Sequence, residues 1–384
     1  MRFEFSTATQ IVFGPGTVSE AGRLAKAWGR RAVVVVGKRS QRAQRVLELL
    51  EENRIVHSTV AVSQEPTVDD VVSGAAAARR FGAEMVIGVG GGSVMDAAKA
   101  ISALMANEDS VFDYLEVVGK GQPFELPPAP WMAIPTTAGT GAEVTRNAVL
   151  RVPERGVKVS LRSPYLLARL ALVDPELTLE MPPALTASTG LDAISQLIEA
   201  YTSSRANPHA DALCAAGIPK ALKALPAAVR DPKALEPRID LSLAAMWSGM
   251  ALANAGLGAV HGLAAPLGGQ YRAPHGAVCG ALLGPVMAAN LKALRSRAAD
   301  HPALARYAEI ARWATGRPDA SPEDGAAWFA EFARSLGIPR LSAHKVDPAK
   351  FADIAARAAE ASSMKANPVA LTADELQQVL AAAH

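Results

Sequence analysis

Glu84-Met85-Val86-Ile87-Gly88-Val89-Gly90-Gly91-Gly92-Ser93-Val94-Met95-Asp96-Ala97-Ala98-Lys99 decides the fold of this chain. A short apolar run, Glu84–Val89, leads straight into three glycines and a serine. A helix-compatible stretch, Val94–Met105, follows. Strand, glycine turn and helix in immediate succession are the opening of a βαβ unit. The same grammar recurs on either side. Ala32–Val36 is β-branched and ends at Gly37. Trp131–Ile134 leads to Pro135-Thr136-Thr137-Ala138-Gly139-Thr140-Gly141. Leu170–Val173 stops at Asp174-Pro175. Continuous apolar strands, separated by helices such as Asp69–Phe81, predict a parallel sheet covered on both faces.

Beyond Pro182-Pro183 strand signals nearly vanish, and alanine- and leucine-rich helical periods run to the C-terminus. Pro208, Pro219, Pro226, Pro237, Pro266 and Pro274 are read as breaks between separate helices. The expected organisation is an α/β nucleotide-binding domain over residues 1–182 and an all-helical domain over 183–384. Loops are expected near Lys120–Pro130 and Thr315–Gly325.

The 384 residues are half hydrophobic and one-fifth charged, with a net charge of +2. That balance gives no field to attract nucleic acid or an anionic membrane. Cys214 and Cys279 are the only cysteines, so no disulfide framework is implied and a reducing cytoplasm fits. Met1–Gln10 has no signal-peptide core. Leu241–Tyr271 contains no Asp, Glu, Lys or Arg, yet its glycines and its Ser242, Ser248, Asn254 and His261 suit a buried helix of a large core better than a membrane span.

Two glycine-rich turns carry the first chemistry. Glycines let a backbone approach a pyrophosphate, and the free N–H groups of a helix start bind it. Gly90-Gly91-Gly92-Ser93 alone fits a tight turn equally well. A second turn with hydroxyls, Thr136 to Gly141, at the same expected sheet edge makes a nucleotide site the better reading. The spacing is not that of a Rossmann fingerprint. After the first strand, Gly37 is followed by Lys38 and Arg39, with no carboxylate for a ribose 2′-hydroxyl. Those cations suit a 2′-phosphate, and solvated surface charge is an equal alternative.

A second constellation suggests a metal. Asp192 and Gln196 stand i, i+4 on one helix face. His261 and His275 lie at either end of a nearly uncharged segment, where an unpaired imidazole is costly to bury. A carboxylate and imidazoles are ligands for a divalent transition metal, and Gln196 would be a weak, neutral one. Asp192 as cap of a helix starting near Thr189 stays open, as does Gln196 as a simple hydrogen-bonded amide. His57, His209, His301, His344 and His384 are assigned no role.

Taken together, these motifs resemble the iron-containing (group III) alcohol dehydrogenase family over nearly the whole chain. The likeness runs from Ile11-Val12-Phe13-Gly14-Pro15-Gly16 through Gly90–Lys99, Pro135–Thr145 and Val173-Asp174-Pro175-Glu176-Leu177, to Gly190-Leu191-Asp192-Ala193 and His261–Gly276. It implies the architecture shared with dehydroquinate synthase: an α/β domain binding NAD(P), a helical domain holding one Fe²⁺ or Zn²⁺, and an active site in the cleft between them. Gly91, Gly92 and Ser93 match the pyrophosphate loop. Thr136, Thr137 and Thr140 match the second cofactor loop, and Lys158 a lysine that reaches the cofactor. Asp96 and Leu177 fall within matched motifs and are counted with the cofactor residues. Asp192, His261 and His275 match three of four metal ligands. Family members usually have His at the place of Gln196, and many have a second His at the place of Ala265. The implied activity is NAD(P)-dependent, metal-assisted alcohol dehydrogenation or aldehyde reduction by a cytoplasmic homodimer, with NADP slightly favoured. Maleylacetate reduction, a dehydroquinate-synthase-like lyase and a non-catalytic nucleotide-binding relative are the alternatives.

Overall fold

The computed structural model describes residues 2–38, 41–62, 64–271 and 273–384. The chain forms two compact units. One comprises residues 6–137 and 141–180, the other residues 1–5, 138–140 and 181–384.

Among the described residues the first unit has eight strands: β1 (Gln10–Phe13), β2 (Arg31–Gly37), β3 (Val56–Val62), β4 (Met85–Gly90), β5 (Trp131–Pro135), β6 (Asn147–Val152), β7 (Val157–Arg162) and β8 (Leu170–Val173). Six of them form a sheet in the order β1-β8-β5-β4-β2-β3, every pairing parallel. Its helices are α1 (Ala21–Ala25), α2 (Gln41–Glu52), α3 (Val68–Phe81), α4 (Gly92–Ala106) and the single turn α5 (Val111–Tyr114). All of β4, β5 and β8 is buried, which is why these strands read as unbroken apolar runs. The chain moves outward from β2 to β3 and then returns to the other side of β2 to lay down β4. That reversal is a topological switch point, where the carboxyl ends of adjacent strands open a crevice.

β3 falls on the strand-like segment that follows His57, while β1 and the antiparallel hairpin β6–β7 go beyond the strands read from the sequence. β3 is an edge strand with Val56 58% exposed, so its apolar signal is diluted. β6 alternates half-buried and buried residues, a period-2 pattern that six residues make faint.

The second unit holds nine helices among the described residues: α6 (Pro183–Thr202), α7 (Pro208–Arg230), α8 (Leu235–Ala255), α9 (Ala259–Gln270), α10 (His275–Arg297), α11 (Ala303–Thr315), α12 (Pro322–Ser335), α13 (Phe351–Glu360) and α14 (Ala373–Ala383). α6 lies against α7, α8 and α10, and from Thr186 to Thr202 every residue except Thr189 is buried. A helix apolar on all sides belongs at the centre of a large core.

The proline reading needs correction. Pro208 and Pro274 sit at or just before helix starts and Pro237 in the first turn of α8, but Pro219 and Pro226 lie inside α7 and Pro266 inside α9. An internal proline removes one hydrogen bond and strains the preceding turn. Burial of flanking residues such as Ile218, Leu222 and Leu225 in α7, and Leu263 and Leu267 in α9, offsets that cost. By length and composition α7, α10 and the bent α8–α9 pair could cross a membrane. The apolar window of α10 is 72% buried within the protein itself.

Candidate metal centre and cofactor turns

Both glycine turns lie at the carboxyl edge of the sheet, beside the switch point. α4 begins directly after β4, with Gly91 as its N-cap and Gly92 and Ser93 as its first residues. A Cβ on Gly90 would stand 2.5 Å from Val94 Cγ2, so only glycine lets the helix start this close to the strand. The next strand carries the second turn to the same place: Gly90 pairs with Pro135, and the Thr136 amide donates to the Gly90 carbonyl at 2.9 Å. Thr137 packs over Gly91, the nearest approach of a built Cβ being 3.2 Å. Gly37 closes β2 alongside, and Lys38 is exposed after it. Arg39 lies outside the described residues. The leading N–H groups of α4 have no intrahelical acceptor, which suits a phosphate.

Other expected cofactor residues have protein partners. The Asp96 carboxylate accepts from the Val149 amide at 3.1 Å and stands 3.8 Å from Lys99 Nζ, tying α4 to β6. Lys99 is fully buried and donates to Thr145 Oγ1 (2.7 Å) and the Asn147 carbonyl (2.8 Å). Lys158 donates to Glu65 at 2.6 Å. Leu177 packs against the core beneath the sheet. Thr140 falls in the short segment grouped with the helical unit. Burial dominates the charges around Asp96: it pushes Asp96 up to about 6 and Glu143 up to about 7, and draws Lys99 down to about 8.

The metal-type cluster is built by three helices of the second unit. α6 presents Asp192, Gln196 and Glu199 at i, i+4 and i+7 on one face. Asp192 sits well inside this helix, so the capping alternative falls away. α9 carries His261 in its first turn. α10 begins at His275 and carries Cys279 one turn later. A Cβ on Gly276 would lie 2.2 Å from the Ser188 carbonyl oxygen, so α10 reaches α6 this closely because a glycine follows His275. Asp192, His261 and Cys279 are buried, while His275 is 41% exposed.

His261 Nε2 stands 3.2 Å, and His275 Nε2 3.6 Å, from Asp192 Oδ1. Cys279 Sγ is 3.8 Å from His261 Nε2 and 3.7 Å from His275 Nε2. Four potential donor atoms lie within 4.8 Å of one another. On the far side of the ring, His261 Nδ1 is 2.5 Å from Glu199 Oε2, and the other oxygen of that carboxylate accepts from the Val260 amide at 2.7 Å. A carboxylate only accepts, so Nδ1 carries its proton for Glu199 and Nε2 is left for a metal. Gln196 is buried, and its Oε1 accepts from Ser248 Oγ at 2.7 Å.

Here charge partners outweigh burial. Desolvation would raise Asp192, but His275 and His261 hold it below the ordinary carboxylate range. Desolvation would lower His261, but Cys279, Glu199 and Asp192 lift it well above the usual histidine range. Cys279 first, and then Asp192 against the pull of burial, push His275 up to about 9. Nitrogen, oxygen and sulfur donors gathered here, three of them on buried residues, suit a divalent cation.

Glu199 and Cys279 are the residues sequence reasoning missed. Both had a spacing signal: Glu199 is seven residues after Asp192, and Cys279 four after His275.

Fold and cluster together define a protein with a nucleotide-binding type of α/β unit and a helical unit that carries a metal-type cluster. The family model described as iron-containing alcohol dehydrogenase matches residues 8–175, and that of the Fe-containing alcohol dehydrogenase family C-terminal domain matches residues 186–384. The chain is 35% identical over 347 residues to alcohol dehydrogenase 4 of Saccharomyces cerevisiae, covering 90% of this chain and 87% of that one. It is similar to the crystal structure of a 1,3-propanediol oxidoreductase, with a TM-score of 0.92, 30% identity and full coverage of both chains. It is also similar to sulfoacetaldehyde reductase from Bifidobacterium kashiwanohense in complex with NAD⁺, with a TM-score of 0.87, 28% identity and 100% and 99% coverage. The chain belongs to the iron-containing alcohol dehydrogenase family. It is an oxidoreductase of the alcohol dehydrogenase type, with a nicotinamide cofactor and a metal.

Proposed function

We propose that this enzyme interconverts an alcohol and an aldehyde, with Asp192, His261 and His275 holding one divalent metal. The observation that carries this reading is the convergence of the three side chains on one point, with Glu199 fixing the tautomer of His261. Bound there, a divalent metal supplies Lewis-acid polarisation of the substrate oxygen, and NAD(P) gives or takes the hydride.

The chain's own residues do the rest. Glu199 holds the Nδ1 proton of His261 and orients its ring. The Gly91–Ser93 helix start and the Thr136–Thr137 turn receive the cofactor's phosphates. Gly37 leaves room beside them, and Lys38 favours a 2′-phosphate, so NADPH serves at least as well as NADH. Asp96, Thr140, Lys158 and Leu177 are proposed at the same cofactor site. Ala265 offers no side chain to take the alcohol proton, which leaves by water or a cofactor hydroxyl. The enzyme works as a cytoplasmic homodimer on an alcohol or aldehyde. Metal analysis of the purified protein, joined to a turnover screen with NADH and NADPH against aldehydes and maleylacetate, tests the reading. Metal-independent turnover, or none with any aldehyde, overturns it.

A further inference from the structure

The donor set of this centre includes a residue that neither the family's usual pattern nor the i, i+4 pair on α6 supplies. We propose that Cys279, and not Gln196, is the fourth protein ligand, so that the metal is held by Asp192, His261, His275 and the Cys279 thiolate. The inference rests on the metal centre proposed above and changes its composition.

The first argument is distance. Around one tetrahedral metal, bonds of 2.0–2.1 Å to N or O place such donors about 3.3 Å apart, and a 2.3 Å bond to sulfur places it about 3.6 Å from each nitrogen. The separations here are 3.2 and 3.6 Å between Asp192 Oδ1 and the two imidazole nitrogens. They are 3.8 and 3.7 Å between the sulfur and those nitrogens. These four of the six donor separations fit a single shared ion within a few tenths of an ångström, and the other two lie within 4.8 Å. The longer sulfur contacts are those that a longer metal–sulfur bond requires.

The second argument is what holds each candidate. Cys279 follows His275 by one turn of α10, so both side chains leave the same face, and the helix start is locked against α6 by the close approach at Gly276. Among the described residues, the sulfur's neighbours at hydrogen-bond range are the two imidazoles, and Asp192 lies within 4.8 Å of it. Gln196, by contrast, has its amide oxygen on Ser248 Oγ at 2.7 Å, and Ser248 is itself fully buried. Ligation through that oxygen would compete with a buried hydrogen bond.

The third argument is ligand chemistry. Replacing a neutral amide by a thiolate adds a negative charge and a soft donor. A thiolate strengthens the preference for zinc or cobalt over iron that nitrogen and oxygen donors already show.

Cobalt(II) substitution of the full-length protein tests this. Thiolate ligation gives an intense sulfur-to-cobalt charge-transfer band in the near ultraviolet, and a tetrahedral ion gives visible d–d bands. The wild type is expected to show both at one equivalent of cobalt. Cys279→Ser should lose the charge-transfer band and bind cobalt at least about tenfold more weakly by chelator competition, while Gln196→Ala keeps the band. Visible cobalt bands without the charge-transfer band in the wild type, or survival of the charge-transfer band in Cys279→Ser, would overturn the Cys279 assignment and leave the Asp–His centre standing. Failure to bind cobalt at all would overturn the centre itself, and this assignment with it. Circular dichroism of each variant separates loss of the ligand from loss of the fold.

Discussion

The enzyme buries two clusters of ionisable side chains, and burial has opposite consequences in them. In the α/β unit, Asp96 and Glu143 are pushed up and Lys99 is drawn down, so each drifts toward its neutral form. In the helical unit, Asp192 is held down and both histidines are held up, so each drifts toward its charged form. The difference lies in partners. Lys99 spends its hydrogen bonds on Thr145 and on the Asn147 carbonyl, and its nearest carboxylate oxygen on Asp96 stands 3.8 Å away. His261 has a carboxylate against each ring nitrogen. A cluster whose charged forms prevail over desolvation is organised around charge, as a metal site must be. A cluster in which desolvation prevails ties elements together, here α4 to the β6–β7 hairpin.

The largest effect should come from breaking the charged cluster. His261→Ala is expected to lower aldehyde turnover by more than about 100-fold, since even loss of a group behind a metal ligand costs 10–100-fold. Metal content should fall with turnover, and NADPH binding, followed by quenching of nicotinamide fluorescence, should stay within about twofold. Full activity in this variant would refute the metal centre. A parallel loss of NADPH binding would refute the assignment of cofactor phosphates to the sheet edge.

The neutral-leaning cluster makes a contrasting prediction about pH. Glu143 titrates near 7 in the folded chain against an ordinary value of 4.5. Between those values the unfolded chain has given up its proton and the folded one still holds it. Stability is then greatest below about 4.5, declines as pH rises toward 7, and is level beyond as far as this group is concerned. The full decline amounts to at most about 3 kcal/mol. Glu143→Gln should remove that part of the decline, so the variant gains on the wild type through this window in urea melts. A wild-type midpoint that climbs from pH 5 to 7 in step with the variant would contradict the assignment.

How readily each part could be read from the sequence follows from how local it is. The β4–α4 turn is specified by consecutive residues, and its strand, glycines and helix all stand where the sequence indicates. Asp192, His261 and His275 were recognisable as residue types in an apolar setting. Their convergence depends on three helices meeting, and Gly276 sets one of those approaches through a contact with Ser188 that no short-range pattern contains. Glu199 is not singled out in the sequence, because its role depends on α9 coming to rest against it. Cys279 counts there only as one of two cysteines without a disulfide framework, and the sequence offers Gln196 as the more visible neighbour of Asp192. The internal prolines of α7 and α9 show the reverse error, a strong local signal overruled by burial.

A smaller effect is expected at the turn itself. Gly90→Ala brings a Cβ to 2.5 Å from Val94, so the start of α4 must move or Val94 must be displaced. Overpacking of this kind costs roughly 1–3 kcal/mol. If α4 receives the phosphates, the dissociation constant for NADPH should rise about tenfold, while metal stoichiometry remains that of the wild type. A variant that loses metal but binds NADPH normally would invert the comparison between the two units.

The smallest effect concerns cofactor choice, and it decides whether surface charge sharpens the cofactor site. β2 ends at Gly37, which carries no carboxylate to repel a 2′-phosphate, and Lys38 follows it exposed to solvent. An exposed ion pair is screened and contributes only about 0.2–1 kcal/mol, or roughly 1.5- to 5-fold in affinity. Lys38→Ala should therefore raise KM for NADPH by a few-fold, leave KM for NADH unchanged, and lose even that difference in high salt. Gly37→Asp is the stronger probe, because it adds a negative charge at the strand end. It should shift kcat/KM toward NADH by more than Lys38→Ala does, through repulsion of the 2′-phosphate and the hydrogen bond a carboxylate offers a ribose hydroxyl. A wild type that strongly prefers NADH in kcat/KM, with Gly37→Asp making no difference, would show that the ribose does not lie at the end of β2.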